Sequence, residues 1–338
     1  MHRGDELARA PRPMDPPASL LNSGERIRAI ASDYGIVLVI IALGILFGLT
    51  APRFLLAENI VTIFKQISVV AIMAIGMFMV ILVGGIDLSV GSSALLAAVV
   101  SMFLLNHGYL PTGVAIVAGL AAASAVGLVN GFLVESAGIS PIIVTLGTMI
   151  AVRGLAQTIL WIDNAWLWVR DPVFTFAAQK TIVSIPVLIL LMVLLYLVFA
   201  VALRQTSFGR RLYAIGGNAR ATALCGVPVV RLKTLTYVLS GFTAGIGGLI
   251  LAARLSAVSP GVGNNIQFDV ILAVVLGGAS LTGGSGRLEK SMLGALIAGM
   301  ILNYLTIKGI PGPYQTAVNG LLILAAVVID RVSRGRAA

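Results

Sequence analysis

The chain alternates long apolar runs with short polar breaks. Bounded by charge, Gly or Pro, the runs cover residues 34–51, 66–83, 88–106, 111–134, 140–161, 183–203, 234–257, 269–282, 291–307 and 314–330. A helix rises about 1.5 Å per residue, so a bilayer core needs roughly 18–20 apolar residues per crossing. The run 269–282 is short for that, and it is either a full crossing or a re-entrant or broken element. The pattern predicts an all-α, polytopic integral membrane protein with about ten transmembrane helices.

Composition excludes a soluble fold: 58% of residues are hydrophobic and 11% charged, against about 25% charged in soluble domains. More than half of the 23 basic and 13 acidic residues lie in 1–33, 204–233 and 330–338. Short loops rich in Lys and Arg stay on the cytoplasmic side. The segment 204–233 carries Arg204, Arg210, Arg211, Arg220, Arg231 and Lys233 without any acid. Placing it inside puts both termini in the cytoplasm and brings Arg26, Arg28, Arg287, Lys290, Arg331, Arg334 and Arg336 to that side. The expected division is a disordered cytoplasmic tail over 1–33, a transmembrane domain over 34–330 with 204–233 as its main cytoplasmic loop, and a cytoplasmic C-terminal tail over 331–338. The first 33 residues lack the apolar core of a cleavable signal peptide.

A net charge of +10 does not point to nucleic acid, because aromatics make up only 7% and the basic residues sit at span edges. The single Cys225 and the two histidines, His2 and His107, give neither an internal disulfide nor metal-ligand spacing. No catalytic, metal-binding or cofactor-binding residue is expected in this chain.

Two Gly-rich segments resemble each other at a constant offset of 193: Gly84-Gly85-Ile86-Asp87-Leu88-Ser89-Val90-Gly91-Ser92 and Gly277-Gly278-Ala279-Ser280-Leu281-Thr282-Gly283-Gly284-Ser285. Each is either a break where backbone faces a cavity or a place where helices pack closely. The span count puts both on the cytoplasmic side, six crossings apart. That implies a parallel repeat or a misplaced span, since an inverted repeat needs an odd number. Ionisable residues at membrane depth are functional candidates. Asp87 either caps a helix beginning at Leu88 or touches substrate. Arg153 pairs with a carbonyl or carboxylate, or lines a watery path. Lys65 and Asp269 stand near span entrances. The run Gly283 to Ser291 has Glu289 where a phosphate loop requires Gly, so if ATP drives this protein another chain must bind it. The longest external connection, 162–182, carries Trp166, Trp168, Asp163, Arg170, Asp171 and Lys180. It is either an interfacial tryptophan belt or a docking surface for an extracytoplasmic partner.

The stretch Ile75-Gly76-Met77 to Ser92 resembles the signature of ribose-type ABC importer permeases. Three co-linear matches follow: Phe208-Gly209-Arg210-Arg211-Leu212-Tyr213-Ala214-Ile215-Gly216-Gly217-Asn218, Ala252-Ala253-Arg254-Leu255-Ser256, and Ala273 to Leu281. The likeness spans about residues 54–331. It implies a membrane subunit paired with a second permease subunit, fed by an extracytoplasmic sugar-binding protein and powered by a cytoplasmic ATPase that holds ATP and Mg. Its contact with the ATPase would use Gly209, Arg210, Tyr213, Gly216, Gly217, Asn218, Ala221 and Gly226, with a short helix from Asn218 to Cys225 after a Gly216-Gly217 turn. Arg210 and Arg211 are equally readable as membrane-surface anchors. The translocation path would draw on Asp87, Ser89, Ser92, Asn130, Thr148 and Arg153, with Ser93, Thr145 and Gln157 nearby in sequence. Many such residues mediate helix packing instead. The chain departs from the family where Gln267 precedes Phe268-Asp269 in place of Glu, and where Lys290 replaces Gly. The rival classes are an ion- or proton-coupled secondary transporter working without an ATPase, and an integral membrane enzyme, for which no convergent catalytic groups are present.

Overall fold

The computed structural model describes residues 23–183 and 185–335. Twelve helices follow in chain order: α1 (Ser23–Thr50), α2 (Ala57–Leu82), α3 (Val90–Asn106), α4 (Thr112–Glu135), α5 (Pro141–Ile162), α6 (Pro172–Gln179), α7 (Val187–Gln205), α8 (Ser207–Leu224), α9 (Val229–Leu255), α10 (Ile266–Leu276), α11 (Leu288–Ile307) and α12 (Gly312–Gly335). Four two-residue strands pair antiparallel, β1 (Leu167–Trp168) with β4 (Ala257–Val258) and β2 (Thr181–Ile182) with β3 (Ile185–Pro186).

Every expected span contains a helix. Six of them, α2, α4, α5, α7, α9 and α11, are long and apolar enough to cross a bilayer, while α1, α3, α10 and α12 carry shorter apolar stretches. The chain is an all-α, polytopic membrane protein. The tail expected over 1–33 falls partly outside the described residues, at 1–22, and α1 already begins at Ser23. At the other end α12 continues to Gly335, into the expected tail; 336–338 lie outside the described residues.

Two further spans, α2 and α10, also differ from the apolar pattern. α2 starts at Ala57 rather than 66, so Lys65 lies about two turns inside the helix. Polar residues there are absorbed by local partners: Thr62 donates to the Glu58 carbonyl, and the Asn59 and Asn303 side-chain amides bond each other at 3.0 and 3.1 Å. The run 269–282 holds the shortest helix among the expected spans. Helix α10 has 11 residues, about 16 Å of rise, and an irregular segment, 259–265, leads into it.

Helices α2 and α9 form the centre. α2 is apolar all round and buried over most of its length, with Ile72, Met73, Ile75, Met77 and Phe78 fully inaccessible. In a bilayer, helices associate through close packing rather than a hydrophobic drive, and small residues allow it. Here Gly127 of α4 lies on the Tyr237 backbone, Gly131 on Thr234, and Gly241 of α9 on the Ala123 backbone, each with no room for a Cβ. Helix α5, by contrast, leaves Ile143, Ile150 and Trp161 more than half exposed.

Hydrogen bonds sort the helix ends onto two faces. On one, Lys233 at the start of α9 meets Glu135 at the end of α4 (3.1 Å), and Arg204 at the end of α7 forms a bidentate pair with Glu289 at the start of α11 (2.9 Å for each contact). On the other, the β1–β4 pair joins the α5–α6 connection to the end of α9, and Asn106 at the end of α3 donates to the Trp168 carbonyl.

Candidate functional site

The two Gly-rich segments meet on the first of these faces. α2 ends with Gly84 N–H donating to Ile81 O and Gly85 N–H to Val80 O, both at 2.9 Å. α10 ends in the same way, with Gly278 N–H to Val275 O (2.8 Å) and Ala279 N–H to Val274 O (3.2 Å). Gly84 and Gly278 are both left-handed, at φ 83° and 80°, which a residue with a Cβ adopts only with strain. Cap geometry therefore matches Gly84 with Gly278, one position away from the sequence offset. The segments touch directly: Gly284 N–H donates to Leu82 O at 2.8 Å.

Helix α8 closes this junction. Its two pieces join at Asn218, which leaves helical geometry (φ −160°, ψ 96°) and caps the second piece by accepting Ala221 N–H at 2.9 Å. The short helix expected from Asn218 onward is present. Gly216 and Gly217 close the first piece rather than forming a turn. A Cβ on Gly216 would run into the Leu82 carbonyl and the Gly284 backbone, whereas Gly217 has open space around it. Gly209 is pressed just as closely onto the Leu203 backbone. The Tyr213 hydroxyl donates to Gly286 O at 2.9 Å. Burial, reinforced by the charge of Glu289, raises its pKa and keeps it a neutral donor. Arg210, Ala221 and Gly226 are exposed, and Leu224 stands 86% exposed at the tip.

Above the junction the chain turns back into the protein. Asp87 Oδ1 accepts the Ser89 N–H (3.0 Å) and hydroxyl (2.6 Å), and Oδ2 accepts the Ser240 hydroxyl of α9 (2.8 Å). The Asn130 amide of α4 donates to Ser89 Oγ at 2.8 Å, and Ser92 donates to Met149 O of α5 at 2.7 Å. Helix α3 begins at Val90 with Ser89 as its N-cap, so Asp87 makes an Asx turn two residues earlier and does not cap a helix starting at Leu88. Asp87, Ser89, Ser92 and Asn130 are at most 1% exposed. They bind four helices together inside the subunit.

The second discontinuity is the segment before α10. Arg153 of α5 donates to Pro260 O (3.2 Å) and Gly263 O (3.1 Å), which selects the carbonyl partner among the readings of that residue. Irregular backbone at membrane depth survives only when its polar groups are satisfied or face a cavity. Gly263 in turn packs on Gly91, in the first turn of α3. Arg153 lies nine residues before the end of α5, about 13 Å along the helix, so the two interrupted segments touch near the middle of the bundle. Thr148 bonds back to Val144 O and Thr145 O of its own helix. Asp269 accepts from the Asn319 amide within the first turn of α10. Sequence reasoning missed Ser240, one small hydroxyl in a small-residue run, and the exposed Asn264 and Asn265. The only available signal was the length of the short run.

On the opposite face, the connection after α5 is folded. Asn164 and Ala165 are left-handed at φ 54° and 66°, a strain of roughly 1 kcal/mol or more for Ala. They set Trp166 and Trp168 in a stack, with ring centroids 5.9 Å apart. Asp171 caps α6 by accepting Phe174 N–H at 2.8 Å.

Three comparisons bear on this arrangement. The family model described as branched-chain amino acid transport system / permease component matches residues 59–327. The ribose import permease protein of Bacillus subtilis (strain 168) is 37% identical over 310 residues, 89% of this chain and 94% of that protein. The D-allose transport system permease protein of Escherichia coli (strain K12) is 36% identical over 300 residues, 88% and 91%. The L-arabinose ABC transporter permease protein of Azospirillum brasilense is 34% identical over 302 residues, 89% and 88%. No solved structure matches. The chain belongs to this family of membrane permease components, non-catalytic subunits whose ATPase is a separate chain.

Proposed function

We propose that this chain is the membrane subunit through which an ATP-driven importer moves a ribose-like simple sugar into the cytoplasm by alternating access. The single observation that carries the reading is the interlocked junction of Leu82, Gly216 and Gly284, which seats α8 directly on the end of α2 and on the Gly-rich connection between α10 and α11. A push on the exposed tip around Leu224 is then delivered to two interrupted segments at once. The names of the relatives support a sugar as cargo. They give no support to an ion-coupled carrier working alone.

In this reading a cytoplasmic ATPase binds ATP and Mg and receives the α8 tip, through Asn218, Ala221 and Gly226, with Arg210 beside it at the surface. Gly209, Tyr213 and Gly216 transmit its motion, while Gly217, with open space around it, closes the first piece of α8 without bearing on the junction. An extracytoplasmic binding protein delivers the sugar, and a second permease subunit, identical or related, completes the path. Both termini and the segment 204–233 are cytoplasmic. The path runs along the open side of α5, past Thr148 and Arg153 and the exposed Asn264 and Asn265. Asp87, Ser89, Ser92 and Asn130 hold its wall together, and no covalent chemistry is required of them.

Reconstitution in vesicles with the ATPase and binding protein tests this. Saturable, ATP-dependent uptake of ribose, allose or arabinose is expected. Uptake of branched-chain amino acids with none of these sugars would overturn it.

A further inference from the structure

We infer that the cavity walled by the Trp166–Trp168 stack, on the face opposite α8, binds a free monosaccharide; this rests on the sugar-import reading above. The cavity has a volume of about 740 Å³, within the roughly 300–1,000 Å³ of small-molecule sites. Asn106, Asp163, Asn164 and Arg170 line it together with the two tryptophans.

The lining suits a neutral, polyhydroxylated ligand. Asp163 and Arg170 contribute one charge of each sign, so no net field selects an ion, while both supply directional hydrogen bonds. Asp163 leans toward His107, whose Nε2 lies 3.6 Å from Oδ1, and its side chain is partly exposed at the cavity wall, where a carboxylate accepts from ligand hydroxyls. The indole faces offer apolar area against which the C–H side of a sugar ring packs.

The tryptophans are placed for this and not only for the membrane edge. They stack on each other at 21° between planes and are about half exposed. β1 is pinned to β4, and Val169 N–H donates to Ser256 O at 3.0 Å. Trp161, outside the cavity and 74% exposed, suffices for an interfacial anchor. The cavity sits at the end of α5, the helix whose Arg153 holds the mid-membrane break. A sugar captured there stands at the head of the proposed path.

The chain has three tryptophans, so Trp161→Phe leaves the stacked pair as the only indole probe. In the full-length W161F chain in nanodiscs, free ribose, allose or arabinose should give a saturable tryptophan fluorescence change. W161F/W166A should weaken apparent affinity by about threefold to tenfold. In the reconstituted complex, W166A should raise the KM for sugar with kcat retained. No saturable change with any of the three sugars, while the complex transports one of them, overturns the site and leaves the import reading intact. If W166A weakens capture of the binding protein but fluorescence ignores free sugar, the surface is a docking face and the inference falls. If the complex transports none of the sugars, both readings fall together.

Discussion

The two ends of the bundle are built in opposite ways. At the α8 end, three glycine-bearing segments interlock so closely that Gly216 and Gly284 have no room for a side chain. At the other end, a folded connection tied to α3 and α9 carries two half-exposed tryptophans on the wall of an open cavity. A tight junction passes displacement on, because packed interfaces move as units rather than deforming continuously. An open, polar vestibule does the reverse, admitting a ligand without moving the bundle. The proposed function uses that difference, with energy input at one face and cargo entry at the other.

The most damaging way to break this contrast is to loosen the tight end. Gly216→Val should abolish ATP-driven uptake, since overpacking against fixed backbone costs about 1–3 kcal/mol or forces α8 off its seat. Assembly with the ATPase, read by co-purification, separates lost coupling from lost insertion. Gly217→Ala, with open space at that position, should assemble normally and serves as the matched control. Next, Asp87→Ala strands the hydroxyls of Ser89 and Ser240 and should lower stability by about 2–3 kcal/mol, visible as a drop in the thermal unfolding midpoint in detergent. Asp87→Asn should recover part of it.

A smaller effect is expected midway between the ends. Arg153→Met removes the donors to Pro260 and Gly263 and should cost about 1–2 kcal/mol, with slower uptake but intact assembly. The smallest belongs to the rim of the tight end. Glu289→Gln breaks an exposed pair with Arg204 and should shift stability by no more than about 1 kcal/mol, less in high salt.

Much of this was legible in the residues, for physical reasons. Each of the ten apolar runs contains a helix, and six of those helices have the length and hydropathy that a bilayer demands. Asn218 announced its cap because few residues suit an N-cap, and the glycine repeat marked real helix ends. Three things escaped. The start of α2 was hidden because Asn59, Thr62 and Lys65 look like an edge until their partners are known. The choice of Gly216 over Gly217 depends on which neighbour lies above, which no local pattern encodes. Ser240 reaches Asp87 only through tertiary packing, across 153 positions of sequence.

The central claim is that energy enters this subunit from another chain through the α8 junction. The most direct measurement is sugar uptake into vesicles holding the permease with and without its ATPase and binding protein, under ATP or under an imposed proton or sodium gradient. The account predicts uptake only with the complete complex and ATP. Uptake by this chain alone, driven by a gradient, would contradict it.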